Sequence, residues 1–288
     1  MATFVILCLL SRLFYALNDT LTGRLAREHD GLEIAALRGL TLGFTMAPIL
    51  AWVPRSAWPR LASEGPTLAL VVAATALANV LHLQAARALP FGIRASIVIT
   101  GVSLGSVLLG YVVLGERLPA TAAICCALIV LGAVLAAPGK HATHEIRPRL
   151  LPGALLAIVS GCLFAVVGLL MKGLAEHTHP LLAAWAWELG AGLILLPPLL
   201  LRRRIPRDLP RHLARIALYS SPTVIGSSAS LLALGGGELG LWGALAGTQV
   251  LFAAALGVLW HREVMGLWRW VCFVVAALGV AGLTWSRG

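Results

Sequence analysis

The sequence predicts an all-α integral membrane protein with ten transmembrane helices, arranged as two inverted five-helix repeats around a central cavity. Three observations predict it. First, 59% of the 288 residues are hydrophobic and only 12% are charged, against roughly 45–50% and about 25% in soluble domains. So little charge cannot coat a soluble chain of this size, and a mean hydropathy of +0.90 agrees. Second, apolar runs of about 20 residues, the length that crosses a bilayer, recur along the chain. Third, the chain repeats itself. A soluble enzyme, a disordered chain and a nucleic-acid-binding module are excluded by composition, and a membrane β-barrel by the lack of alternating ten-residue segments.

The ten spans are read at 2–23, 32–54, 65–88, 91–114, 118–137, 151–173, 180–201, 210–233, 239–260 and 264–285. Pro119, Pro152 and Pro210 stand where a first helical turn begins, the position that best tolerates a missing N–H. Pro90 and Gly235-Gly236-Gly237 break the chain between spans 3 and 4 and between spans 8 and 9, so each pair is read as a tight antiparallel hairpin. Pro48 and Pro197 fall inside spans 2 and 7 and predict kinks.

Shifted by 149, Ser11 falls on Ser160, Ala16 on Ala165, Leu25 on Leu174, Gly43 on Gly192 and Pro48 on Pro197. Shifted by 147, Gly110 falls on Gly257, Glu116 on Glu263 and Gly132 on Gly279. Residues 1–145 and 146–288 are therefore two copies of one five-helix unit. Five is odd, so the second copy enters from the opposite face and is inverted, an arrangement that places a binding site between the repeats near the midplane.

The net charge is +10. Fourteen Lys and Arg fall in the gaps after the odd-numbered spans, Arg87, Arg94 and Arg202-Arg203-Arg204 among them, and five on the other face. The positive-inside rule then puts the fourteen in the cytoplasm and both termini outside. The apolar N-terminal run lacks a basic leader and contains Arg12 and Asp19, so it reads as a first span rather than a cleaved signal. Cys8, Cys125, Cys126, Cys162 and Cys272 lie in apolar runs without Cys-x-x-Cys spacing, as small packing or lipid-facing residues.

The ten spans, the five-plus-five repeat and Leu114-Gly115-Glu116-Arg117-Leu118-Pro119 followed by a glycine-bearing span through Gly132 resemble the EamA-type drug/metabolite transporter superfamily. His261-Arg262-Glu263 with Gly279 is a weaker second copy. The resemblance covers nearly the whole chain, and its nearest branch is the aromatic-amino-acid exporters. It implies a secondary transporter in the bacterial inner membrane, exporting small metabolites, amino acids foremost. It also implies cytoplasmic termini, against the charge count.

Polar residues inside lipid usually face the bundle interior or a wet cavity. At ~100° per residue, Ser11, Arg12, Tyr15, Asn18, Asp19 and Thr22 share one arc of about 120° on span 1. It reads as a cavity lining with Asp19 free to hold a cation, or as an internal Arg12–Asp19 pair. On span 3, Thr75, Asn79 and His82 share a face, and His82 titrates near neutral pH when unperturbed. Span 4 carries Ser96, Thr100 and Ser103 on one face, for close packing or a ligand. Span 7 carries Glu188 beside Trp185 and Trp187, with Arg38 of span 2 as its candidate mate, since a buried carboxylate must be paired, protonated or hydrated. Trp185, Trp187 and Trp242 are candidates to stack on an aromatic or cationic ligand. Trp52, Trp58, Trp260, Trp268, Trp270 and Trp285 suit interfacial anchoring. The expected substrate contacts are thus Tyr15, Asn18, Asp19, Arg38, Asn79, His82, Thr100, Trp185, Glu188 and Trp242. Glu116 and Glu263 stand just before a helix, where a carboxylate meets the positive N-terminal dipole, and read as structural. Two loop clusters, His141/His144/Glu145 and His177/His179, lack a firm ligand set, so no metal is expected.

No Gly-x-x-x-x-Gly-Lys-Ser/Thr stretch offers an ATP site, and no cofactor or enzymatic activity is expected. The partners are a small-molecule substrate and the lipid bilayer, with no nucleic acid, and one chain with two halves suffices as a monomer. Two alternatives remain open. Gly101-Val102-Ser103-Leu104-Gly105 matches the Gly-x-Ser-x-Gly pattern and would allow an intramembrane serine protease using Ser103 and His82, though that pattern works on a strand-to-helix turn. A channel is the other, favoured by rings of carbonyls or charge that one asymmetric chain does not supply.

Overall fold

The computed structural model describes residues 1–288 except 90, 118, 136–146, 203–207, 262–266 and 286–288. Among the described residues all regular secondary structure is helical, without strands. In order these are α1 (Ala2–Glu28), α2 (Gly31–Met46), a 3₁₀ helix (Ala47–Trp52), α3 (Ala57–Ser63), α4 (Gly65–Ala88), α5 (Phe91–Leu114), α6 (Ala120–Leu135) and α7 (Arg147–His177). The rest are α8 (Pro180–Leu201), α9 (Leu209–Ser220), α10 (Pro222–Leu234), α11 (Leu239–Ala246), α12 (Thr248–His261) and α13 (Leu267–Trp285).

Seven helical stretches are long and apolar enough to cross a bilayer, or eight if the bent α9–α10 pair counts as one. Two shorter apolar helices, Ala120–Leu131 and Trp270–Gly282, stand where spans 5 and 10 were expected. Large apolar side chains such as Leu201, Leu259 and Leu267 remain about 80% exposed. That suits lipid rather than water as the surrounding solvent.

Three spans are less regular than the sequence suggests. Span 2 does not kink at Pro48 but tightens into the 3₁₀ helix. Proline has no N–H to give Phe44, so the Ala47 N–H bonds the Phe44 carbonyl and the Gly43 carbonyl is left free. Span 8 bends by 43° at Ser221–Pro222. There Pro222 cannot bond the Leu218 carbonyl, and the Ser221 hydroxyl donates to it instead at 2.8 Å. Span 9 breaks at Gly247, between α11 and α12, whose N–H bonds the Ala244 carbonyl at 3.0 Å in 3₁₀ fashion. Pro197 sits inside a continuous α8, and α3 lies in a gap expected to be loop. Pro90, Leu118 and the loop cluster His141/His144/Glu145 fall outside the described residues.

Helix packing follows the repeat. α2 packs on α8 and α6 on α13, each pair joining a helix to its own counterpart. The pair α4·α7 is matched by α10·α1, α5·α7 by α11 and α12 on α1, and α4·α8 by α10·α2. At the α2–α8 crossing, Gly39 and Gly192 bring backbone against backbone, and a Cβ added to either would overlap the other helix. The paired glycines read from the repeat are the contact itself.

Two charged residues are placed differently from expectation. Arg94, counted among the basic gap residues, lies in the first turn of α5 with 2% exposure. Without it the charge count becomes thirteen against five and keeps its sign. Glu116 does not serve the helix that follows it. Its two carboxylate oxygens accept the N–H groups of Leu239 at 2.7 Å and Gly240 at 2.8 Å. It therefore caps the N-terminus of α11, in the other repeat, where those donors would otherwise be orphaned. All five cysteines are free thiols, with Cys8, Cys126 and Cys272 buried.

Candidate functional site

A cavity of about 130 Å³ lies among α1, α2, α4, α5, α7, α8, α10, α11 and α12, so both repeats line it. Val98, Ile99, Val102, Phe164, Val167, Met171, Leu231 and Leu234 form its apolar wall, and α1 supplies more of its polar wall than any other helix.

Of the six residues on the polar arc of α1, Arg12, Tyr15, Asn18, Asp19 and Thr22 line the cavity. Ser11 is buried beside it, its backbone carbonyl against Gly226 of α10. The arc faces inward because the opposite side of α1 is apolar, with Leu13 37% exposed, and polar groups in hydrocarbon are costly. Arg12 does not pair with Asp19. Its guanidinium lies over the Trp242 ring, 4.2 Å from the centroid, and 5.8 Å from that of Tyr15. Its Nε and Nη2 are buried without a hydrogen-bond partner. Trp242 is held by its indole N–H, which donates to Ser230 at 3.0 Å.

The two carboxylates are held in separate networks. Asp19 accepts a hydrogen bond from the Gln249 amide at 2.9 Å, and its other oxygen is 3.8 Å from His82 Nε2. Arg94 is electrostatically coupled to both Asp19 and His82. Glu188 accepts a 2.7 Å bond from the Ser227 hydroxyl and lies 3.9 Å from the Arg38 guanidinium. The Tyr15 hydroxyl is 3.1 Å from that of Ser227, and Arg38 donates to Thr223 at 3.3 Å. The Arg38–Glu188 pair read from the repeat-related spans is thus present in space. The indole of Trp187, on the cavity side of α8, donates to Thr75 of α4 at 2.6 Å.

Eight of the ten expected contacts surround this one cavity: Tyr15, Asn18, Asp19, Arg38, Asn79, His82, Glu188 and Trp242. Thr100 and Trp185 lie outside its lining. The cavity face of α5 is the apolar stripe Val98, Ile99 and Val102, which leaves Thr100 on another face. Trp185 turns toward α2, where its N–H donates at 3.0 Å to the Gly43 carbonyl freed by the 3₁₀ turn. Its ring meets Trp58 edge-on, 5.8 Å between centroids. The sequence reading places Arg12 on the polar arc and Trp187 among the stacking candidates without counting them as contacts, and it misses Ser230 and Gln249. A search for every polar residue within an apolar span finds both.

The protease reading has no support. Ser103 sits within α5 with its backbone carbonyl against Gly243, and its buried hydroxyl has no hydrogen-bond partner to activate it. His82 instead faces Asp19 and the edge of Phe164. Of the weaker metal candidates, His177 pairs with Glu64 at 3.0 Å and no ligand group gathers at His179 among the described residues.

No curated protein matches the sequence. A solved structure described as "Crystal structure of protein" shares the fold with a TM-score of 0.75 at 17% identity, covering 99% of this chain and 97% of that one. The model of the EamA-like transporter family matches the chain twice, over residues 2–137 and 151–285, so the repeat read from paired residues coincides with two family units. A twice-repeated unit of apolar helices meeting at one polar cavity fits a membrane transporter of small molecules, and this chain belongs to the EamA-like transporter family.

Proposed function

We propose that the protein is a ten-span secondary transporter of the bacterial inner membrane that exports zwitterionic metabolites, amino acids with aromatic or neutral side chains foremost. The halves 1–145 and 146–288 are proposed to be inverted and to rock against each other around the cavity. The observation that carries this reading is the mixed charge of one shared cavity. Asp19 and Glu188 offer negative groups to an ammonium. Arg12, whose buried Nε and Nη2 lack partners, offers a fork to a carboxylate. Trp242 and Trp187, with the apolar wall, suit the side chain between them. The exchange-related helix pairs support two symmetry-related halves, since most contacts across the repeats have their mates.

The test is uptake of labelled amino acids into proteoliposomes, with and without a pH gradient. Saturable uptake of neutral or aromatic amino acids is expected, weakened by Arg12→Ala by about tenfold or more, the effect of losing a charged hydrogen bond. Equal uptake by wild type and Arg12→Ala would sink the carboxylate assignment. Lack of uptake of every amino acid, with uptake of another metabolite class, would sink the substrate.

A further inference from the structure

A second cluster of chemistry lies away from the cavity, where α1 ends, α2 begins and α9 begins. His29 caps the C-terminus of α1, and Glu33 stands one turn into α2. His212 comes from α9, in the other repeat, so no stretch of sequence holds these three ligands together. Glu33 and His212 are buried, at 7% and 9% exposure, and the His29 side chain is 27% exposed. Glu33 Oε1 is 2.8 Å from His212 Nε2 and 3.6 Å from His29 Nδ1. One donor atom from each residue lies within 4.8 Å of the others. The imidazoles are 4.2 Å apart, centroid to centroid.

The 2.8 Å contact between Glu33 Oε1 and His212 Nε2 satisfies one imidazole. It does not account for the second, since His29 Nδ1 stands 3.6 Å from the same oxygen, beyond hydrogen-bond reach, with its ring 4.2 Å from that of His212. Two protonated imidazoles at that spacing would repel. A group that takes two neutral imidazoles and a carboxylate together is a transition-metal cation. Ligands about 2.1 Å from a tetrahedral centre lie about 3.4 Å apart, and the observed 2.8 and 3.6 Å bracket that value. The site is also supported from beneath. Asp30 accepts the Leu32 N–H at 3.3 Å and meets Arg202 at 3.3 Å, which fixes the two-residue turn carrying His29. Leu25, Ile34 and Ile216 form a dry cluster under α1, α2 and α9, with Ile216 one turn beyond His212. The partial exposure of His29 leaves one side open for entry and for a water ligand.

We propose that His29, Glu33 and His212 bind one divalent transition-metal ion, Zn²⁺ by the borderline N₂O donor set, fastening the α1–α2 turn of the first repeat to α9 of the second. Arg215, electrostatically coupled to His212, opposes a cation here and moderates the affinity. The site is independent of the transport reading, since its test is binding.

The test uses the full chain, purified in detergent, freed of any affinity tag and treated with chelator. Zn²⁺ titration by calorimetry should give one site per chain and raise the apparent Tm. Glu33→Gln, His212→Gln and His29→Gln should each weaken binding by at least about tenfold, whereas His177→Gln should leave it unchanged. Wild-type protein loaded with Co²⁺ should show the visible absorption of a four-coordinate N/O site, a readout that needs no variant to fold. Absence of the Co²⁺ band and of saturable Zn²⁺ binding in the wild type would overturn the proposal. So would Zn²⁺ binding that survives all three substitutions, or that His177→Gln abolishes.

Discussion

Arg38 and Glu188 are the deepest ion pair of the cavity, and their removal in turn gives a quantitative test of how it is held. At 3.9 Å, their attraction at an effective dielectric of about 20 is about 4 kcal/mol. Deleting one partner strands the other charge among buried groups, at roughly 3–5 kcal/mol. Arg38 keeps 12% of its side chain exposed toward the cavity, so water screens it and the lower figure, about 3 kcal/mol, is expected. Glu188→Leu alone and Arg38→Met alone should therefore each lower the apparent Tm of the detergent-solubilised protein by about 6 °C, taking roughly 2 °C per kcal/mol for a chain this long. The double variant leaves neither charge uncompensated. Ser227, released by Glu188, still has the Tyr15 hydroxyl at 3.1 Å. The double variant should thus recover at least about half of either single loss, because a buried pair replaced by apolar groups of similar volume is often neutral. The assay is thermal unfolding read by monodisperse fraction on size exclusion, at one heating rate because membrane proteins unfold irreversibly. If the double variant lost the sum of the two single losses, the residues would not be coupled and the pairing would be refuted.

Three other outcomes follow from the same geometry. Glu116→Ala should lower the apparent Tm by about 6–12 °C, since each of the two charged hydrogen bonds on the α11 N-terminus is worth about 1.5–3 kcal/mol; Glu116→Gln, which keeps one acceptor, should lose about half as much. Trp185→Phe should cost about 1 kcal/mol of stability through its lost bond to Gly43 and leave the substrate KM unchanged, whereas Trp187→Phe should raise KM; the reverse pattern in uptake assays would show that the cavity wall is misassigned. Asp19→Asn keeps the shape and the Gln249 contact but removes the negative charge beside His82 and Arg94. Its transport should fall by about tenfold or more, with the apparent Tm within about 3 °C of wild type, and transport at the wild-type rate would remove Asp19 from the mechanism.

The class of the protein, its repeat and most of its cavity were legible in sequence because lipid imposes a one-dimensional rule. A polar side chain in an apolar span must face inward, so the periodicity of α1 alone aimed Tyr15, Asn18 and Asp19 at a shared interior. The Glu188–Arg38 pair was legible for a related reason, since repeat-related spans pack on each other. Which of several inward-looking residues reaches the cavity was decided only in three dimensions. Trp185 and Trp187 are two residues apart and chemically identical. One is drawn to a carbonyl that the prolyl 3₁₀ turn of another helix sets free, and the other bonds Thr75 across the cavity edge. Glu116 likewise looked like the cap of its own next helix and instead caps one in the other repeat.

Sequence by itself determined what sits in lipid, where the chain duplicates and which spans carry unaffordable polarity, because burial of a helix face depends on spacing along that helix. Tertiary structure alone decided which distant groups meet: Gln249 on Asp19, Arg12 over Trp242, and His212 against Glu33. Each of those contacts depends on the crossing of two helices, and a crossing is set by where glycines let backbones approach, a quantity that no single helix's periodicity contains.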